Sequence, residues 1–168
     1  MSSNLNNRVE HVQATEVYDT GGVRVYFDNI ESVVCDAIEQ AEEVVACVAW
    51  IKSRPILAAL QSRPSTLIVT SDRVHRSNRA ALTRVPPRTG FRAVSIVGLA
   101  RGRFRPLMHN KFIVLLRNQR PYSVITGSYN FTAHSKVNLE NIMQINSSEV
   151  ARVYYREAMA IYAISRRI

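Results

Sequence analysis

The sequence predicts an α/β fold: a mixed sheet flanked by helices on both faces. Two apolar runs, at residues 44–51 and 66–70, are continuous rather than alternating, as in strands covered on both sides. Stretches with helical spacing of apolar residues separate such runs. Strand and helix signals alternate along the chain without internal repeat or low-complexity segment, which favours helices packed on a mixed sheet.

The elements follow in order. VRVYF at Val23–Phe27 reads as a short strand. Asp28 or Asn29 is expected to cap a helix whose stripe is Ile30, Val33, Val34, Ala37, Ile38 and Ala41. VVACVAWI at 44–51 is the first covered strand, and Pro55 opens a short helix to Gln61. TLIVT at 66–70 is the second covered strand. Ser71 or Asp72 begins an Arg-rich helix to about Arg84, ended by Pro86, Pro87 and Gly90. Residues 92–97 form a fourth strand, and 98–106 a basic loop. Strands at 112–116 and 122–126 flank a polar turn, and a further strand covers 140–145. Ser147 or Ser148 caps a final helix to about Arg166, with Val150, Val153, Tyr154, Ala158, Ile161 and Ile164 inward. Trp50 and Phe27 are read as core.

At 168 residues and 46% apolar composition, one domain at residues 23–168 behind a flexible segment 1–22 is expected. No apolar run reaches the roughly 18 residues that a membrane span needs, so no membrane insertion is expected. The polar start, Met1 to Asn7, lacks a secretory pattern. A cytoplasmic location follows, the host cytoplasm for a viral chain. Cys35 and Cys47 are read as buried reduced thiols. No close Cys/His cluster points to a metal site.

The charge is lopsided. Residues 1–43 hold nine acids and two Arg, a net of −7, and residues 44–168 hold four acids and twenty Lys/Arg, a net of +16. From Arg73 to Leu139 there are thirteen Lys/Arg and no acid, and nine of the thirteen are Arg between Arg73 and Arg105. Ordinary surfaces mix signs. An acid-free Arg strip suits a polyanion, because the guanidinium fork gives phosphate two parallel hydrogen bonds. Arg101, Arg103 and Arg105, with His75 and Arg76, are the candidate nucleic-acid contacts. Anionic lipid headgroups are the alternative polyanion.

The chemistry-bearing residues lie between Met108 and Ile145. His109 and Lys111 stand two apart at the start of a strand, so they project to one side of it, at its mouth. Gly127-Ser128-Tyr129-Asn130 follows the next strand, where a Gly-Ser turn lets backbone approach a phosphate. Asn138-Leu139-Glu140-Asn141 leads into a third. Glu140 is the only acid in the 76 residues from Arg73 to Ser148. Such a carboxylate calls for a specific partner, and an imidazole is a good candidate. His11 reads as solvated, and His134 as structural or exposed.

Each piece alone is a common pattern; the ordered set is not. HNK at 109–111, GSYNFT at 127–132 and NLEN at 138–141 together resemble the phospholipase D superfamily, in its branch of small single-motif (HKD-type) bacterial and phage-type nucleases. The resemblance runs from about Val23 to the C-terminus. The family pattern is His-x-Lys, four residues and Asp; in this chain that last position is Leu116. The family's Asp is generally a supporting residue rather than the nucleophile.

The resemblance implies a metal-independent phosphodiesterase with no cofactor. His109 would attack phosphorus to form a phosphohistidine, and a second histidine would serve the leaving group and then water. With one motif per chain, that histidine implies a symmetric homodimer with the active site at its interface. Lys111 and Asn130 would hold the non-bridging oxygens, Ser128 would position phosphate, and Glu140 would orient His109. The competing functions are a lipid phosphodiesterase or phosphatidyl transferase, and a catalytically weak or inactive nucleic-acid-binding protein that kept the fold.

Overall fold

The computed structural model of the protein describes residues 21–70, 79–98 and 107–167. Eight strands form one mixed sheet: β1 (Val23–Tyr26), β2 (Glu43–Val48), β3 (Ser65–Thr70), β4 (Val94–Val97), β5 (Lys111–Arg117), β6 (Arg120–Gly127), β7 (Ile142–Ile145) and β8 (Arg166–Arg167). Their spatial order is β1-β7-β6-β5-β2-β3-β4-β8. β2, β3 and β4 are parallel neighbours, whereas β5 runs antiparallel to β2 and begins the meander β5-β6-β7-β1.

Among the described residues, four α-helices accompany the sheet: α1 (Ile30–Gln40), α2 (Arg54–Gln61), α3 (Arg79–Leu82) and α4 (Ser148–Ile164). The central strands have a period of two, and both of their faces are covered. Val44, Ala46, Val48, Ile113 and Leu115 pack with Val34, Ile38, Ile56 and Leu60 of α1 and α2. Val45, Cys47, Phe112, Val114 and Leu116 pack with Ala151 and Ala158 of α4. Covering both faces removes the need for polar alternation, which is why β2 and β3 read as continuous apolar runs.

Local chemistry sets the ends. Ser53 and Ser147 cap α2 and α4, their hydroxyls accepting from the N–H groups of Ile56 and Val150 at 3.3 Å. Asn118 and Gln119 join β5 to β6 with φ of 50° and 62°, the left-handed turn that suits the twist of a tight hairpin.

Several expectations are corrected. Neither Asp28 nor Asn29 caps α1 through its side chain: Asn29 is left-handed at φ 52°, and Asp28 accepts from the Asn29 N–H at 2.7 Å. On α4 the fully buried residues are Ala151 and Ala158; Val150, Tyr154 and Ile161 of the expected stripe pack beside them, whereas Val153 and Ile164 are 54% and 78% exposed. The helix ends at Ile164, and Arg166 instead pairs with Ile96 as β8. Cys47 is buried as expected, but Cys35 only partly. Phe27 is 48% exposed and Trp50 half-buried, so neither belongs to the core.

Candidate active site

The site lies where β2 ends, β5 begins and β6 passes into β7. The chain after β2 is anchored to the segment after β6. Phe131 N–H donates to the Trp50 carbonyl at 3.1 Å, and the N–H groups of Lys52 and Ser53 donate to the Phe131 carbonyl at 2.6 and 2.8 Å. Ala49 N–H donates to the Asn110 carbonyl at 2.9 Å, and Thr70 donates its hydroxyl hydrogen to the Met108 carbonyl. These bonds fix the chain on both sides of His109.

His109 is exposed at the mouth of β5. Lys111 Nζ sits 3.2 Å from its ring nitrogens and 2.8 Å from its carbonyl oxygen. Trp50 forms the wall behind the pair. Its ring meets the imidazole edge-on at 5.0 Å, with Lys111 Nζ 5.9 Å from the ring centre. Partial burial, reinforced by the Lys111 ammonium, lowers the His109 pKa. Partial burial also lowers that of Lys111, against the opposing pull of Glu140. The change at His109 favours a neutral imidazole.

Across the mouth, Ser128 donates its hydroxyl hydrogen to Glu140 and accepts from the Asn141 N–H at 3.1 Å. Ser128 N–H donates to the Asn141 carbonyl at 3.1 Å, and Asn138 Nδ2 donates to Glu140 at 3.3 Å. Gly127 makes this closeness possible: a Cβ there would lie 2.1 Å from the Asn141 carbonyl oxygen. The Asn130 side-chain oxygen is buried without a partner among the described residues.

The candidate residues thus form two facing groups. His109 and Lys111 stand against Trp50, while Ser128, Asn138 and Glu140 are locked together, with Glu140's charge felt by Lys111. The hydrogen bonds of Glu140 go to Ser128 and Asn138, and those of His109 to Lys111. Trp50 is the residue sequence reasoning misplaced. Its position just beyond the carboxyl end of a parallel strand, where α/β sheets place ligands, was the signal available.

Leu116 is completely buried against α4. His134 is exposed, in the 3-10 turn at Ala133–Val137. Arg101, Arg103, Arg105, His75 and Arg76 lie outside the described residues. Two Arg of the acid-free strip are occupied within the fold. Arg88 is ion-paired to Glu43 at 2.6 Å between the rings of Phe91 and Tyr155. Arg92 bonds to Ser95, Tyr162 and Ser165. Among the described residues, no three His, Cys, Asp or Glu side chains are grouped to hold a metal ion, and no helix is long and apolar enough to cross a membrane.

The family model described as "Cardiolipin synthase, PLD-like domain" matches residues 34–161. The chain belongs to this phospholipase D-like family. Its fold resembles that of Nuc, a phospholipase D family member from Salmonella typhimurium, at TM-score 0.65 and 19% identity over 86% of this chain and 95% of that one. It also resembles NucT from Helicobacter pylori, at TM-score 0.72 and 13% identity over 87% and 98%. An uncharacterized protein of Acanthamoeba polyphaga mimivirus is 24% identical across 95% of this chain and 71% of its own length. The chain therefore has the mixed α/β fold of phospholipase D-type phosphodiesterases, and it covers nearly the whole of the two small structures.

Proposed function

We propose that this phospholipase D-like chain is a metal-independent nuclease that hydrolyses nucleic-acid phosphodiesters through a phosphohistidine at a homodimer interface. The observation that carries the reading is the pairing of an exposed His109 with Lys111 at the mouth of β5, beside the Ser128–Glu140 lock.

The chemistry follows from those groups. A ring nitrogen of His109 attacks phosphorus, the P–N bond forms and the P–O bond to the leaving group breaks. His109 of the partner subunit gives its proton to the leaving oxygen. It then takes a proton from water, whose oxygen attacks phosphorus as the P–N bond breaks. Lys111 supplies positive charge to the non-bridging oxygens and Asn130 a hydrogen bond, so that charge developing in the transition state meets donors already in place. The depressed pKa of His109 supplies the neutral imidazole that the nucleophilic copy needs, whereas the partner subunit's His109 must hold a proton to act as the acid. Glu140 acts through Ser128 and Lys111 in this arrangement, and Arg101, Arg103, Arg105, His75 and Arg76 are proposed to grip the backbone. Exposed Leu107, Val137 and Leu139, which flank the motifs, support coverage of this mouth by a second copy.

The test is cleavage of labelled single- and double-stranded DNA and RNA in EDTA, beside a His109→Ala control. Wild-type cleavage that the substitution abolishes is expected. Cleavage that needs added metal, or that survives His109→Ala, contradicts the mechanism. Hydrolysis of phospholipid with nucleic acid untouched would move the site to lipid chemistry.

A further inference from the structure

Beside Glu140 a cavity of about 280 Å³ opens in front of the N-terminus of α1, lined by Phe27, Asp28, Asn29, Glu31, Tyr129 and Asn138 among others. Four features distinguish it. Phe27 presents a half-exposed ring at its edge. Asn29 enters α1 in a left-handed conformation with no side-chain cap, which leaves the first-turn N–H groups without one. Tyr129 is only 2% exposed, and its hydroxyl has no hydrogen-bond partner among the described residues, so a bond remains to be made there. Three carboxylates, those of Asp28, Glu31 and Glu140, face one ammonium, that of Lys136, which is ion-paired with Glu31.

The charge decides the ligand class. A second phosphate would meet a surplus of carboxylates, so this is not a further anion site in spite of the helix end. A neutral, flat group rich in hydrogen-bond donors fits instead. It stacks on Phe27, and its amino or hydroxyl groups donate to the carboxylates and to Asn138. The volume is just below the usual small-molecule range of about 300–1,000 Å³, enough for one such unit rather than a stretch of duplex.

We propose that this cavity is a nucleoside subsite, which seats one unstacked base next to the scissile phosphate and so favours single-stranded or frayed substrate. The inference rests on the nucleic-acid reading above. Stacking of a base on an aromatic ring is sequence-tolerant, because every base has a π face. Asp28 and Glu31 come from the acidic N-terminal part of the chain, which the fold brings beside Glu140 and the other motif residues of the basic half.

The experiment measures equilibrium binding in the His109→Ala background, where turnover does not interfere. The probes are a fluorescent single-stranded oligodeoxynucleotide and the same backbone made abasic throughout. The intact strand is expected to bind about 5- to 150-fold more tightly, the range that one stacked base supplies. Phe27→Ala should remove most of that ratio while leaving affinity for the abasic strand unchanged. Tyr129→Phe should reduce the ratio too, and it deletes only an unpartnered hydroxyl, so folding is not at stake. A ratio near one in the parent, a ratio untouched by both substitutions, or equal weakening of both probes overturns the subsite. Wild-type cleavage with no base-dependent ratio removes the subsite and keeps the nuclease reading. A ratio lost in Phe27→Ala, with no cleavage of any nucleic acid in EDTA, keeps the subsite and removes the nuclease reading.

Discussion

Lys111 and Leu116 stand at opposite ends of β5 and on opposite faces of the sheet. Lys111 shares its side with Ile113 and Leu115, which pack toward α1 and α2, whereas Leu116 lies with Phe112 and Val114 against α4. At about 3.4 Å per residue the two are roughly 17 Å apart along the strand. Leu in place of the family's Asp therefore removes no group from the mouth of the site. It fills a completely buried position between sheet and helix.

Restoring the family residue should accordingly cost stability and return no activity. Leu116→Asp places an unpaired carboxylate among Val45, Val114, Ala151 and Ala158, and a loss of about 3–5 kcal/mol is expected in denaturant unfolding. A Leu116→Asp protein of wild-type stability and higher turnover would show that the position serves the site.

Gly127→Ala should damage the site through the backbone. The added methyl would meet the Asn141 carbonyl and Ile142 Cα, at 2.1 and 2.8 Å, so β6 and β7 must part. The expected cost is about 1–3 kcal/mol, with turnover falling further than stability as Ser128 and Glu140 separate. Melting curves and rates on the same preparation check both parts.

The pH dependence has a defined sign. Burial and the Lys111 charge both hold His109 below its ordinary value of 6.5, so the acid limb of kcat/KM should lie below that pH. Lys111→Met removes a cation that disfavours the imidazolium, and the His109 titration followed by NMR should move upward. Burial acts more strongly than the ammonium, so some depression should persist. An unchanged or lowered midpoint would mean that the two side chains are not coupled in solution.

Glu140 raises the Lys111 pKa against the depression by burial. Glu140→Gln should lower it further, and the Lys111 side-chain titration followed by NMR should move to lower pH. The same change replaces the charged acceptor of the Ser128 hydroxyl, so turnover should also fall at the optimum. A Lys111 midpoint that stays in place would separate Glu140 from Lys111.

If each site uses both His109 side chains, an inactive subunit should poison its partner. Equal amounts of wild type and His109→Ala, allowed to exchange, should retain roughly a quarter of the wild-type activity, the share of fully wild-type dimers. Retention of half would indicate independent sites.

What could be read from the sequence had local causes. β2 and β5 announced themselves because both of their faces are apolar, and Ser147 capped α4 where a hydroxyl was expected. His109, Lys111, Ser128 and Glu140 could be picked out because their spacing relative to strand ends is a local property. The remainder depended on tertiary contacts. Phe27 looks like core in a one-dimensional pattern, yet β1 pairs with β7 at a sheet edge and leaves the ring half-exposed. Arg88 and Arg92 counted toward a polyanion surface, whereas Glu43 and the end of α4, far away in sequence, occupy them. The partner of Glu140 proved to be a hydroxyl across the β6–β7 mouth, a contact that no spacing rule supplies.

The most direct test of the account is to catch the covalent intermediate. Wild-type protein mixed with a substrate labelled at the scissile phosphate, quenched in alkali and mapped by peptide mass, should carry the label on His109. The adduct should be absent from His109→Ala. Steady turnover with no adduct, or with the label on another residue, would contradict His109 as the nucleophile and with it the mechanism proposed for this chain.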